Sequence, residues 1–205
     1  MPTLQLTDLP LFPLHTVLFP DGLLKLKVFE ARYVDLVTAC LRSGAPFGVV
    51  CLLEGSDVHG RGDSPVRFEP LGVLAHVQEM DAEQPGILAV RCLGSQRFAS
   101  TSPQQRADGL WLAQAQVQPG DERLVVPQEF ERCALALHDA VVSLAERGHA
   151  PLALPHHFDD AGWVANRWCE LLPVPIAAKQ RLMALDDPVL RLRLVDDYLH
   201  RQGVV

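Results

Sequence analysis

Leu9-Pro10-Leu11-Phe12-Pro13-Leu14, then Val17-Leu18-Phe19-Pro20, then Leu24-Lys25-Leu26-Lys27-Val28-Phe29-Glu30-Ala31-Arg32-Tyr33 are the three pieces on which the reading of the fold turns. Pro10 and Pro13 fix φ and cannot donate a hydrogen bond, which suits an extended edge strand or its ends. Phe12 and Phe19 are then expected to point into a β-rich core. A helix is expected from Phe29 to Leu41, with Phe29, Tyr33, Leu36, Val37, Cys40 and Leu41 on one face. Glu30 suits the positive N-terminus of that helix. Arg32 is placed to pair with a carboxylate or to cap strand carbonyls.

Outward from these pieces, the chain changes character near residues 119–127. Before that point VLAHVQEM (73–80), ILAVRCLG (87–94) and WLAQAQVQ (111–118) alternate at period two and read as strands. FGVVCLL (47–53) is a continuous apolar run, hence a strand buried on both faces. GSDVHGRGDSP (55–65) reads as an exposed loop and Gln84-Pro85-Gly86 as a hairpin turn. Beyond Gly120 the period becomes helical. Pro127 opens and Gly148 closes a first helix carrying Phe130, Ala134, Leu137, Val141 and Leu144. A second starts at Asp159 and Asp160 with Val164, Trp168, Leu171 and Leu172 inward. A third follows Pro175 with Ile176, Leu182, Met183 and Leu185. Asp187-Pro188 opens a fourth, with Leu190, Leu194, Tyr198 and Leu199 expected inward. The fold class is α+β, segregated along the sequence: a β part over 1–119 and a helical part over 120–205.

Composition narrows the functions. With 48% hydrophobic and 21% charged residues in 205, disorder is excluded as a description. No stretch reaches the roughly 18 apolar residues of a membrane-spanning helix, and the start lacks the basic region of a secretory signal. Eighteen basic against 25 acidic side chains give a charge of -7, and both halves are acidic. Phosphate binding, and with it nucleic acid, is disfavoured. The five cysteines, at 40, 51, 92, 133 and 169, form no CxxC pair and sit among apolar neighbours. They read as buried free thiols, which implies a reducing, cytoplasmic compartment.

The opening motifs, with Phe47-Gly48-Val49-Val50, Gly72-x-Leu74-Ala75 and Gly94-x-x-Arg97-Phe98, resemble the N-terminal substrate-binding domain of the Lon protease family. That domain also occurs as a free-standing bacterial protein. Leu172-Pro173 and Lys179-Gln180-Arg181-Leu182 resemble its later signature, so the likeness runs from about Leu9 to about Leu199. It implies a PUA-like β-barrel followed by a helical bundle. Pro10, Phe12, Pro13, Phe19, Pro20, Phe29, Glu30, Arg32, Tyr33, Gly48, Gly72, Gly94, Arg97 and Phe98 carry the motifs and are read as residues that build the fold. The ATPase and protease modules of a Lon protease have no counterpart here. There is no GxxxxGK[ST] phosphate loop, and the three lysines, Lys25, Lys27 and Lys179, have no serine beside them as a nucleophile.

Other chemistries fare less well. His149, His156 and His157 with Asp159 and Asp160 form the one local cluster of metal-ligating types, but Pro151 and Pro155 interrupt it and HxxxH spacing is absent. It reads as a loop ending in a helix cap. Cys133 or Cys169 with a distant histidine would make a hydrolase only if burial did not raise the thiol pKa. Arg91, Arg97 and Arg106 could line an RNA-binding face, against the acidic balance and few aromatic platforms. Arg61-Gly62-Asp63 spells an adhesion tripeptide in residues that loops favour anyway. The expectation is a non-enzymatic module without cofactor or metal that binds peptides or partly unfolded proteins through apolar clefts and strand edges. Trp111, Phe158 and Trp163 are the candidate apolar surface, with Trp168 assigned to core. An adaptor for one folded partner is the alternative, and no membrane partner is expected. Self-association stays open.

Overall fold

The structure, a computed structural model, describes residues 4–55 and 66–205, with no side-chain description for Glu83. The Arg61-Gly62-Asp63 tripeptide and most of the loop around it lie outside the described residues. The architecture is α+β, and it divides into two compact units, Met1–Gly120 and Asp121–Val205.

The first unit holds β1 (Gln5–Leu14), β2 (Leu23–Val28), α1 (Ala31–Ser43), β3 (Phe47–Glu54), β4 (Arg67–Gln84), β5 (Ile87–Gln105) and β6 (Trp111–Val117). They form one mixed six-stranded sheet in the order β2-β5-β4-β3-β1-β6, and β5 pairs additionally with β6. Among the described residues only β1 and β3 run parallel. Pro85 and Gly86 close the β4–β5 hairpin, and Gly86 takes φ +82, the left-handed conformation that a turn following proline requires. β4 and β5, read from sequence as eight-residue strands, extend to Gln84 and Gln105, because their polar ends still pair across the ladder.

β1 departs from the edge position that its prolines suggest. It lies between β3 and β6. Its register resolves the conflict: pairing to β6 runs from Gln5 to Leu11, and pairing to β3 runs from Leu11 to Leu14. Pro10 therefore has a neighbour on β6 alone and Pro13 a neighbour on β3 alone. Each proline thus faces one strand only, in the stretch where β1 passes from one partner to the other.

From Leu9 onward β1 also buries both faces. Leu9 and Leu11 join Val50, Leu74, Phe98, Ala113, Ala115 and Val117 in one apolar cluster. Phe12 points the other way and stacks on Tyr33 of α1, with ring centroids 3.8 Å apart. β3 is buried from Phe47 through Leu52, as its apolar run implies, but Leu53, the last residue of that run, is exposed. The first helix begins two residues later than its periodicity suggests. Phe29 precedes it and is 53% exposed, and Leu41 is also exposed.

The second unit carries a short 3-10 turn at Gln128–Phe130 and four α-helices: α2 (Glu131–Glu146), α3 (Ala161–Leu171), α4 (Ile176–Met183) and α5 (Pro188–Arg201). Asp160 caps α3 by accepting from the Gly162 and Trp163 N–H groups, and Asp187 caps α5 in the same way. Phe130, Ala134, Leu137 and Val141 are buried on α2. α5 keeps only part of the expected face inward: Leu199 is buried as expected, but Leu190 and Leu194 are exposed, and Leu192 and Val195 are buried with Arg191 and Asp196. Ile176 on α4 is likewise exposed.

Candidate functional site

Most of the motif residues gather at two places in the first unit. One is the packing around Phe98, which is fully buried. A Cβ on Gly48 would approach its ring to 2.5 Å, and one on Gly72 would approach the Val49 carbonyl oxygen to 2.2 Å. Glycine is required there for strands to pass this close. Gly94 donates to the Gly22 carbonyl at 2.8 Å and accepts from Asp21 at 3.0 Å, which holds the turn after Phe19 and Pro20 against β5. Phe19 is fully buried and Arg97 nearly so. The Arg97 carbonyl accepts from the Gln118 N–H at 2.8 Å.

The other place is the start of α1. Glu30 supplies backbone carbonyl contacts to Tyr33 and Val34. Its carboxylate pairs with Arg32 at 3.0 Å rather than capping the helix directly. Arg32 also donates to the Gly109 carbonyl at 2.5 Å and lies 4.5 Å from the centroid of the Tyr33 ring. The carboxylate pairing expected of Arg32 is present, whereas the carbonyl it meets, that of Gly109, lies in the turn between β5 and β6 and not in a strand. Beside this lock is a hollow of about 70 Å³ lined by Phe12, Leu14, Leu26, Lys27, Val28, Phe29, Glu30 and Tyr33. That volume accepts one side chain, well short of the roughly 300–1,000 Å³ of small-molecule sites. β2, which forms one wall, ends the sheet order and pairs only with β5 among the described residues. Leu14, Leu26, Lys27 and Val28 were not among the sequence-derived candidates. The Leu-Lys-Leu-Lys-Val alternation was the available signal.

The aromatic candidates sit differently. Trp111 is partly buried against the apolar cluster and meets Phe68 edge-on at 5.4 Å. In the second unit Trp163 is buried at 4% exposure, so it cannot present a surface, and Phe158 is half-buried between it and His138 and His156. Trp168 is core, and its indole N–H donates to the Cys133 carbonyl at 3.0 Å. Arg167, fully buried, lies 5.6 Å from the Trp163 ring and pairs with Glu170 at 2.8 Å. The His156 pKa is lowered, first by burial and then by the charge of Arg167 and the neighbouring His138 and His157. His157 contacts Arg123 at 2.8 Å and Asp160 is occupied as a cap. Among the described residues no three His, Cys, Asp or Glu side chains converge to hold a metal ion.

The thiols offer no nucleophile. All five are buried and unpaired with one another. Burial pushes Cys92, Cys133 and Cys169 up to about 12, which leaves almost no thiolate near neutrality.

The model of the ATP-dependent protease La (LON) substrate-binding domain matches residues 8–201. The chain belongs to that family. Among solved structures it is similar to a Lon N-terminal domain protein from Xanthomonas campestris, with 30% identity and a TM-score of 0.74, over 94% of this chain and 99% of that one. It also has the fold of the N-terminal domain of Mycobacterium avium complex Lon protease, with 17% identity and a TM-score of 0.60, over 93% and 97% of the two chains. No curated protein matches. No helix among the described residues is long and apolar enough to cross a membrane.

Proposed function

We propose that the protein is a non-enzymatic recognition module that binds peptides or partly unfolded proteins, acting as a free-standing cytoplasmic domain with a PUA-like barrel and a helical bundle. The observation that carries the reading is the match to a Lon substrate-binding domain across residues 8–201, nearly the whole of the chain. The hollow beside the exposed Phe29 supports it, since it is sized for a side chain rather than a metabolite. The strand-pairing circuit β5-β4-β3-β1-β6-β5 supports the barrel. The high thiol pKa values argue against cysteine catalysis.

The test is titration of the chain into labelled unfolded casein, with parallel assays of casein turnover with and without ATP and Mg²⁺. Saturable binding without turnover is expected and should persist at moderate salt, because screening weakens charge contacts and leaves apolar burial largely intact. Tight RNA binding with a steep negative salt slope would overturn the reading.

A further inference from the structure

The hollow at the start of α1 is defined in rigidity, in charge and in size. Phe12, Leu14, Leu26, Val28 and Tyr33 give it an apolar lining, and the exposed Phe29 and Lys27 open it to solvent. Phe12 and Tyr33 are both buried and stack at 3.8 Å, so that part of the wall is fixed before a ligand arrives. Two of the eight lining residues carry charge, Lys27 and Glu30. Glu30 pairs with Arg32 at 3.0 Å, and both Glu30 and Lys27 have other partners besides. A charged group entering the hollow would therefore lose water without gaining an open counter-ion. Size then separates the uncharged side chains. An apolar cavity that takes up benzene has roughly 150 Å³, whereas this hollow has about 70 Å³. A flat ring is too large for it, and a branched aliphatic chain is not.

We infer that this hollow is the anchor site for one branched aliphatic side chain, valine, isoleucine or leucine, of a polypeptide client. Resting on the polypeptide-binding reading, this names the residue class by which a client is held. The selection has two parts. Aromatic side chains are turned away by volume, and charged ones of either sign by the rim, whose own charges are already engaged. Apolar burial of a single aliphatic chain then supplies the preference over a polar residue of similar size.

The test uses twelve-residue glycine-serine peptides carrying one central valine, leucine, phenylalanine, glutamate, lysine or serine. Binding to the full chain is read from the methyl resonances of Leu14, Leu26 and Val28. The valine and leucine peptides should bind about tenfold more tightly than the serine peptide, as burial of one aliphatic chain predicts. The phenylalanine peptide should bind about threefold or more weakly than the leucine peptide, and both charged peptides no better than serine. Leu26→Ala enlarges the hollow and should bring phenylalanine level with leucine. Leu26→Phe fills it and should erase the aliphatic preference. On the wild type alone, a phenylalanine peptide equal to leucine, or a charged peptide tighter than leucine, would overturn the site, whether or not either variant folds. Methyl shifts that grow with protein concentration and no peptide would overturn it as well, by giving the hollow to a second copy. Casein separates the two readings. If it binds and leaves the methyl groups of Leu14, Leu26 and Val28 unshifted, the anchor site fails and recognition stands; if it does not bind, both fail.

Discussion

The two units solve the problem of a core in opposite ways. In the first, strands approach closely around Phe98 and the apolar cluster, with glycines where a methyl group has no room. In the second, two fully buried guanidinium groups sit among the helices. Arg191 donates to the Leu182 carbonyl at 2.9 Å, to Asn166 at 3.0 Å and to the Asp121 carboxylate at 2.5 Å, and it also bonds the Leu185 carbonyl. The difference shows where each unit is fragile: the first to added volume, the second to lost charge.

The largest effect should come from Arg191→Ala. It removes a shared donor from Asp121, Asn166 and two carbonyls, and removing one partner of a buried ion pair costs about 3–5 kcal/mol. Urea unfolding followed by circular dichroism at 222 nm would show it. Insensitivity to this change would mean that the helical unit does not depend on its buried charge. The matching change in the first unit is Gly72→Ala, which drives a methyl group into the Val49 carbonyl and should cost about 1–3 kcal/mol. Gly44 at the end of α1 sharpens the contrast. It takes φ +72 in open space, so its alanine variant should cost about 1 kcal/mol, from backbone conformation alone.

Arg191 also shows what the sequence conceals. Leu190, Leu194 and Tyr198 recur at helical spacing on α5 and compete with Leu192 and Val195 for the inward face, and Leu199 is compatible with both. Hydrophobic periodicity alone cannot choose between two such stripes. The choice falls to the one bearing Arg191, because Asp121 and Asn166, 70 and 25 residues away, supply its partners. Strand order hides similarly. The Leu-Lys alternation of β2 is plain in the sequence, but its place at the end of the sheet depends on which strand β5 meets last. Local signals fared better. The Asp160 and Asp187 caps, the Pro85-Gly86 turn and the buried thiols were all legible, because each depends on near neighbours.

A smaller change tests one of those local features. Asp160→Ala removes the acceptor for the Gly162 and Trp163 N–H groups at 2.9 and 3.3 Å, and a lost cap costs about 1 kcal/mol. Asp160→Asn should recover most of it, since the amide oxygen still accepts. If both variants lose equally, the loose contact to Arg123 at 3.7 Å, and not the cap, is what matters.

The smallest effect is a pH dependence confined to the second unit. Burial, Arg167, His138 and His157 together hold His156 neutral below its ordinary pKa of 6.5. The unfolded chain therefore takes up this proton at a higher pH than the native chain does. Within the window between the two values the unfolded state binds more protons, so stability rises with pH there. The contribution is complete above about pH 6.5 and is lost as pH falls toward the native value. His156→Gln should flatten unfolding free energy between pH 7 and pH 5.5 while leaving it little changed at pH 8. His138→Gln, which removes one of the lesser neighbouring charges and keeps His156, should flatten it less. The half-buried ring limits the size of the effect, so the comparison has to be made as a slope across several pH values. Parallel slopes for wild type and His156→Gln would place the acid sensitivity in other groups.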